Sequence, residues 1–313
     1  MAANIFFIYN IIMFNVRTQN IPSAMIDNAV NILNVRGKSG SGFSLAEDSV
    51  PAKKPTNYIY EGAYSGDIFK EIVKNFSGLP EDEIKSGNPL PTDNKIKYTA
   101  GNYIFIFVNL DYLRVSIMDK SNEKSKEDYR LLAAETETEK AALMKTGVQG
   151  VPGSDMKNAK KIIGDFIKKY PVKDVKSDFD IISLYVEYTG NGADYKAVIN
   201  QKFEGLPINT HIAYVEIKDG AVSYFYGKWY FGSFDTKYTM PLLDSVNILF
   251  KCSENDGKSV SGDKLEKMNI EYNVLLPGGG KFYLIPSWSL QFESGKKLSY
   301  NMITGNKNIE SAN

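Results

Sequence analysis

The chain has 313 residues, 43% of them hydrophobic and 24% charged, which is the balance of a folded body long enough for about two domains and excludes a disordered chain. Lys and Arg together number 37, as do Asp and Glu, so no net field favours a polyanion and nucleic acid is not expected as a partner. A single cysteine, Cys252, excludes an intrachain disulfide and a multi-cysteine zinc site, and a single histidine, His211, excludes a multi-histidine metal site within one chain.

The first element is the most apolar one, "NIFFIYNIIMFNV" at residues 4–16. A bilayer span needs about 20 residues. Arg17 comes too early for that, and no small-residue cleavage site of the signal-peptide kind follows. Three readings fit: a membrane anchor whose start lies upstream, a short anchor that thins or tilts, and a buried first strand. The anchor is preferred, as residues 1–16, because the run is apolar on all faces and passes directly into polar "RTQN". Asn10 and Asn15 are then candidate anchor contacts, since amide side chains hydrogen-bond between helices in hydrocarbon.

Met25, Ile26, Ala29, Val30 and Leu33 follow at helical spacing, with Ser23 as cap and Gly37 as stop. "GKSGSGFS" reads as a loop and "PAKKP" as an extended segment. A second helix carries Ile68, Phe69, Ile72, Val73 and Phe76 on one stripe and ends at Gly78. Two strands occupy 95–117, a charged, partly helical stretch occupies 121–149, and "GVQGVPGS" at 147–154 is the best boundary, dividing a domain at 17–150 from one at 151–313. Ser154 or Asp155 caps the next helix, whose stripe runs from Met156 to Tyr170 before Pro171.

Strands then dominate: "FDIISLYVEY", "DYKAVINQKFEGLPI", "HIAYVEIK", opened by His211, and "AVSYFYGKWYF". Asp219 and Gly220 signal a type I′ hairpin between the last two. Residues 239–251 read as a helix with Pro241 in its first turn and Cys252 as an inert filler at its end. Closing strands follow, among them "KFYLIPSWSLQF", whose alternation puts Phe282, Leu284, Trp288 and Phe292 on an inner face and Ser287 and Ser289 on an outer one. The class is α+β, two units of antiparallel sheet packed on helices.

No phosphate-binding loop, dinucleotide fingerprint, nucleophile elbow or H-E-x-x-H motif is present, so no catalytic, metal-ligating or cofactor-binding residue is assigned and an enzyme is not expected. "YKAVINQKFEGLPI" with Gly205, Leu206 and Pro207, "IEYNV", and "LIPSWSLQFESGKKLSYNMITG" with Pro286, Trp288, Asn301 and Gly305 resemble the YycI and YycH regulatory proteins of Gram-positive bacteria. These residues serve as fold markers in that resemblance. It implies a YycI-like, single-pass membrane protein with its bulk outside the cell. The resemblance also implies contact with a sensor histidine kinase of a cell-wall two-component system, together with a YycH-like partner. The rival reading is an extracytoplasmic peptide- or glycan-binding or peptidase-inhibiting module of cystatin or PepSY type.

Overall fold

The computed structural model describes residues 20–38, 42–46, 48–52, 58–63, 66–87, 95–108, 114–119, 129–169, 177–190, 192–230, 234–278 and 281–308. The apolar run at 4–16, with Asn10 and Asn15, lies outside them. Among the described residues no helix is long and apolar enough to cross a membrane. The fold is α+β, as expected. The chain forms two compact units: unit 1 is Met1–Ile59, Lys237–Asn273 and Leu284–Asn313, and unit 2 is Tyr60–Thr236 and Val274–Tyr283.

Chain order gives α1 (Ser23–Lys38), β1 (Ser44–Leu45), β2 (Ile59–Ala63), α2 (Gly66–Ser77), β3 (Lys85–Gly87), β4 (Lys95–Ala100), β5 (Tyr103–Val108) and β6 (Arg114–Asp119). It continues with α3 (Tyr129–Thr146), α4 (Gly153–Ile167), β7 (Ser177–Thr189), β8 (Gly192–Phe203), β9 (Leu206–Lys218), β10 (Ala221–Lys228) and β11 (Phe234–Tyr238). The last elements are α5 (Ser245–Asn255), β12 (Lys264–Gly278), β13 (Lys281–Phe292) and β14 (Lys297–Asn301).

Unit 2 is built on strands in the order β3-β4-β5-β6-β10-β9-β8-β7. Every neighbouring pair in this run is antiparallel. It consists of two sequential meanders joined where β6 meets β10. Because side chains alternate across a strand, odd positions of β9 such as Ala213, Val215 and Ile217 face one side and Tyr214 and Glu216 the other. The first side packs under α2, through Phe69, Ile72, Val73 and Phe76, and under α4, through Ala159, Ile163 and Phe166. The second side, with Val198, Tyr214, Tyr224 and Tyr226, packs under α3. Both faces are therefore covered.

The turn at 147–150 joins α3 to α4, and the two helices lie on opposite faces, so the connection passes round the margin formed by β7. Leu184 of β7 donates its N–H to the Gly147 carbonyl at 3.2 Å. The Gly-rich stretch that suggested a boundary between 150 and 151 thus lies inside unit 2. Its glycines serve the turn, Gly147 and Gly150 having φ of 63° and 75°.

Asp219 and Gly220 have φ of 50° and 76° and join β9 to β10 as the sequence predicts for a type I′ turn. "DYKAVINQKFEGLPI", read as one strand, is instead a second hairpin: Glu204 and Gly205 turn with φ of 49° and 81°, and Phe203 pairs with Leu206. Pro207 stands opposite Lys202, beside an irregularity after Asn200. α2 ends as predicted, Gly78 taking φ of 69° and donating to the Lys74 carbonyl. Other helix limits move. Ser23 and Gly37 lie within α1, Pro152 is the N-cap of α4 with Ser154 and Asp155 inside the helix, and α5 begins only at Ser245, where the Asp244 carboxylate accepts from Asn247 N at 2.9 Å.

Unit 1 packs α1 and α5 on β1, β12, β13 and β14, with Leu33, Phe43, Ile248, Leu249, Leu265, Trp288, Leu290, Phe292 and Met302 in its core. Trp288 is buried as expected, and its Nε1 donates to the Leu243 carbonyl at 3.0 Å. Leu243 in turn donates its N–H to the Met302 carbonyl at 2.7 Å. This stitch holds Leu243 outside the helix, and α5 starts later than its apolar spacing suggests. Pro286 accepts from Met302 N, and Asn301 Oδ1 accepts from Ile303 N and Thr304 N, an Asx turn closed by Gly305 at φ 71°. Phe282 belongs to unit 2, against Tyr230 and Phe234.

Ser287 and Ser289 are buried rather than outward-facing. The residues after β14 fold back, and Asn308 Nδ2 donates to Ser287 Oγ and Ser299 Oγ at 3.1 and 3.0 Å. Ser299 Oγ also donates to buried Glu271 at 3.0 Å, and Lys297 pairs with the other Glu271 oxygen at 2.8 Å. The alternation is one of polarity, with both sides buried.

Replacing Trp288 with Ala removes a filled core volume and a buried hydrogen bond, so it is expected to cost about 3 to 5 kcal/mol. Chemical denaturation followed by far-UV circular dichroism checks it; an unchanged midpoint would reject the core assignment.

Candidate functional site

One group of ionisable and hydroxyl side chains of unit 2 converges beneath α3. The register of the meander sets Lys196 of β8 opposite Glu216 of β9, and Glu216 opposite Tyr224 of β10. Tyr226 lies opposite Tyr214. Tyr214 and Glu216, two residues apart and so on one face, are hydrogen-bonded directly, the phenol donating to Glu216 Oε1 at 2.9 Å. α3 brings Thr136 and Glu139 to this face, with Leu143 one further turn along, at the i, i+3, i+7 spacing of one helical stripe. Thr136 Oγ1 lies 3.2 Å from Tyr224 Oη, and Lys196 Nζ donates to Glu139 Oε1.

The electrostatics hold Tyr214 and Lys196 each in one state. Burial, then the charges of Glu216 and Glu139, push the Tyr214 phenol well above its ordinary range. Burial pulls the Lys196 ammonium down, but the Glu139 hydrogen bond and the charges of Glu139 and Glu216 outweigh it and leave it raised. Both shifts run away from neutrality. The phenol stays protonated and the ammonium stays charged, so neither exchanges a proton near pH 7 as a general acid or base must. The arrangement works as a bracket: the sheet offers a cation and hydroxyl groups, and the helix supplies a carboxylate and a hydroxyl.

α2 buries four large apolar residues on the opposite face and α4 buries Ala159, Ile163 and Phe166. Of residues 133–146 of α3, Thr136 and Leu143 are buried, and Leu143 and Ala133 pack in an apolar cluster with Val198, Tyr214, Tyr224 and Tyr226. The bonds from Thr136 and Glu139 add a polar tie to that contact.

A second cluster ties α4 to the β7–β8 hairpin, where Asp155 accepts from Tyr188 Oη at 2.9 Å and from Tyr195 Oη at 3.1 Å. His211 is buried and neutral, with burial and then the Lys228 charge lowering its pKa to about 3. Cys252 is buried in unit 1, which pushes its thiol up to about 12. Neither is poised for chemistry, in keeping with the filler role read for Cys252. Among the described residues no cluster of three or more His, Cys, Asp or Glu is arranged to hold a metal.

The sequence-assigned markers do not converge on this bracket. Gly205 lies in the β8–β9 turn with Leu206 and Pro207 opening β9, and Pro286, Trp288, Asn301 and Gly305 lie in the unit 1 stitch. The bracket residues were missed by motif reading. The available signal was "AYVEI" beside "SYFYG", where the face opposite the aliphatic one repeats Tyr and Glu, which calls for a second covering layer.

No family model matches the chain, and neither does any curated protein. A crystal structure of an uncharacterized protein from Eubacterium rectale aligns over 91% of this chain and 98% of its own, at 10% identity and a TM-score of 0.43, and at that level it carries no argument.

Two outcomes follow. Glu139→Ala removes the partner of a partly exposed Lys196, costs about 1 kcal/mol or less, and is expected to speed hydrogen exchange in α3 by up to about fivefold while α4 is unchanged. Equal acceleration in both helices would contradict a separately held α3. His211→Asn tests the pH dependence: between the ordinary 6.5 and about 3 the unfolded chain takes up a proton that the folded chain refuses, so stability falls as pH falls through that window. Denaturant midpoints at pH 4.5 and 7 are expected to differ less in the variant than in the parent.

Proposed function

We propose that this chain is a membrane-anchored extracytoplasmic regulator that modulates a sensor histidine kinase of a cell-wall two-component system by protein–protein contact, without catalysing a reaction. The sequence resemblance to YycI and YycH proteins supports this reading, and so does the structural use of its markers, which serve turns and core packing. In this reading residues 1–16 hold the chain in the kinase's membrane, and Asn10 and Asn15 hydrogen-bond to neighbouring spans, including that of a YycH-like partner.

The observation that carries the reading is the pair of polar bonds by which Thr136 and Glu139 tie α3 to its sheet. A helix tied through Glu139 and Thr136 to a sheet face lined by Tyr214, Tyr224 and Tyr226 is a layer whose position a partner is able to bias by competing for those bonds. A photocrosslinker at exposed Met144 of α3, in intact membranes, is expected to capture the kinase, whereas one at exposed Glu254 of α5 is not. Absence of the kinase from both captures, with the chain present in the membrane, would overturn the proposal.

A further inference from the structure

The helices differ in what they turn outward. α2 exposes Lys70, Glu71 and Lys74, and α4 exposes Lys157, Lys160 and Lys161, as a water-facing helix surface ordinarily does. α1 does not. Its inner side sets Ala29 and Leu33 into unit 1, and one side of its outer face carries Ala24, Asn28, Asn31, Ile32 and Val35, an uncharged arc of exposed residues. Ile32 is 45% exposed and Val35 68% exposed. The exposed charges of the helix stand to the sides of this arc: Asp27 on one flank and, on the other, Arg36, which donates to Ser253 Oγ at 2.9 Å and so is turned along the protein surface.

We propose that this uncharged strip of α1 rests on the lipid surface of the bilayer that holds residues 4–16. The inference depends on the anchored reading above. What commits the strip to lipid is the length of the connection. Ile21 is buried and its N–H is bonded to the Ala52 carbonyl at 2.8 Å, so unit 1 is fixed from that residue onward. Residues 17–20 alone separate it from the apolar run. Four residues span at most about 14 Å, so unit 1 is held against the bilayer surface at the head of α1. Ser23 follows immediately, and the 16 residues of α1 extend about 24 Å from there. Methyl groups interleaved with asparagine amides suit the boundary between acyl chains and headgroups, where an amide still meets water and a methyl does not need to.

The test uses the full chain in nanodiscs of phosphatidylcholine and phosphatidylglycerol, labelled with a bimane at Val35→Cys or Ile32→Cys. Cys252 is buried and unreactive, so it takes no label. A lipid carrying a nitroxide near its headgroup is expected to quench both α1 labels at least about twofold more than a label at Glu254→Cys on α5. Equal quenching at the three positions, in chains that co-purify with the discs, would overturn the lipid contact and leave the anchor standing. Labels on α1 shielded from both the lipid nitroxide and aqueous iodide would overturn it in favour of a second protein copy. A full chain that does not co-purify with the discs would overturn the anchor, and the lipid contact with it.

Discussion

The double coverage of the unit 2 sheet is the constraint on which the rest depends. β8, β9 and β10 bury side chains in both directions, so each face needs its own layer of helix, and one continuous segment supplies part of each. The chain leaves β6, crosses one face as α3, rounds β7 at Gly147, and returns across the other as α4. The turn also occupies an outward backbone group of β7, which reduces what that margin offers to another strand.

The two layers meet different surfaces. Beneath α2 and α4 lie mostly aliphatic and aromatic groups, and burial of apolar area is joined at α4 by the Asp155 bonds to Tyr188 and Tyr195. Beneath α3 an apolar cluster with Val198 and three tyrosines lies beside a carboxylate and an ammonium, and a wholly aliphatic helix there would take the Glu139 carboxylate from Lys196 and the Thr136 hydroxyl from Tyr224. Thr136 and Glu139 thus match α3 to the polar part of the surface it covers. Unit 1 repeats the theme, with Glu271, Ser299, Ser287 and Asn308 forming a polar layer beside an aromatic one.

This distribution decides what was legible in the sequence. Apolar stripes identified α1, α2 and α4, and Asp219–Gly220 identified a hairpin, because these signals depend on neighbours in the chain. Glu204–Gly205 escaped notice because glutamate is not a usual residue for the left-handed conformation it adopts there. Ser287 and Ser289 were placed outward by the ordinary association of alternation with exposure; the return of Asn308 over them is a contact between distant segments. The bracket failed for the same reason. Its members come from α3, β8, β9 and β10, and only the register between strands and the path round β7 bring Glu139 to Lys196.

The two tight hairpins have a consequence for how unit 2 assembles. β8, β9 and β10 are joined by connections of two residues each, so their pairing closes short loops and costs little chain entropy. β6 against β10 is different: Arg114 pairs with Lys228, and everything between them must be threaded out of the way or already in place. The β7–β10 meander is thus expected to form early and locally, with the β3–β6 meander zipping on last. In that order the tyrosine face exists before its neighbour strand arrives, and α3, lying in the chain between the two halves, is the piece whose docking completes the joint.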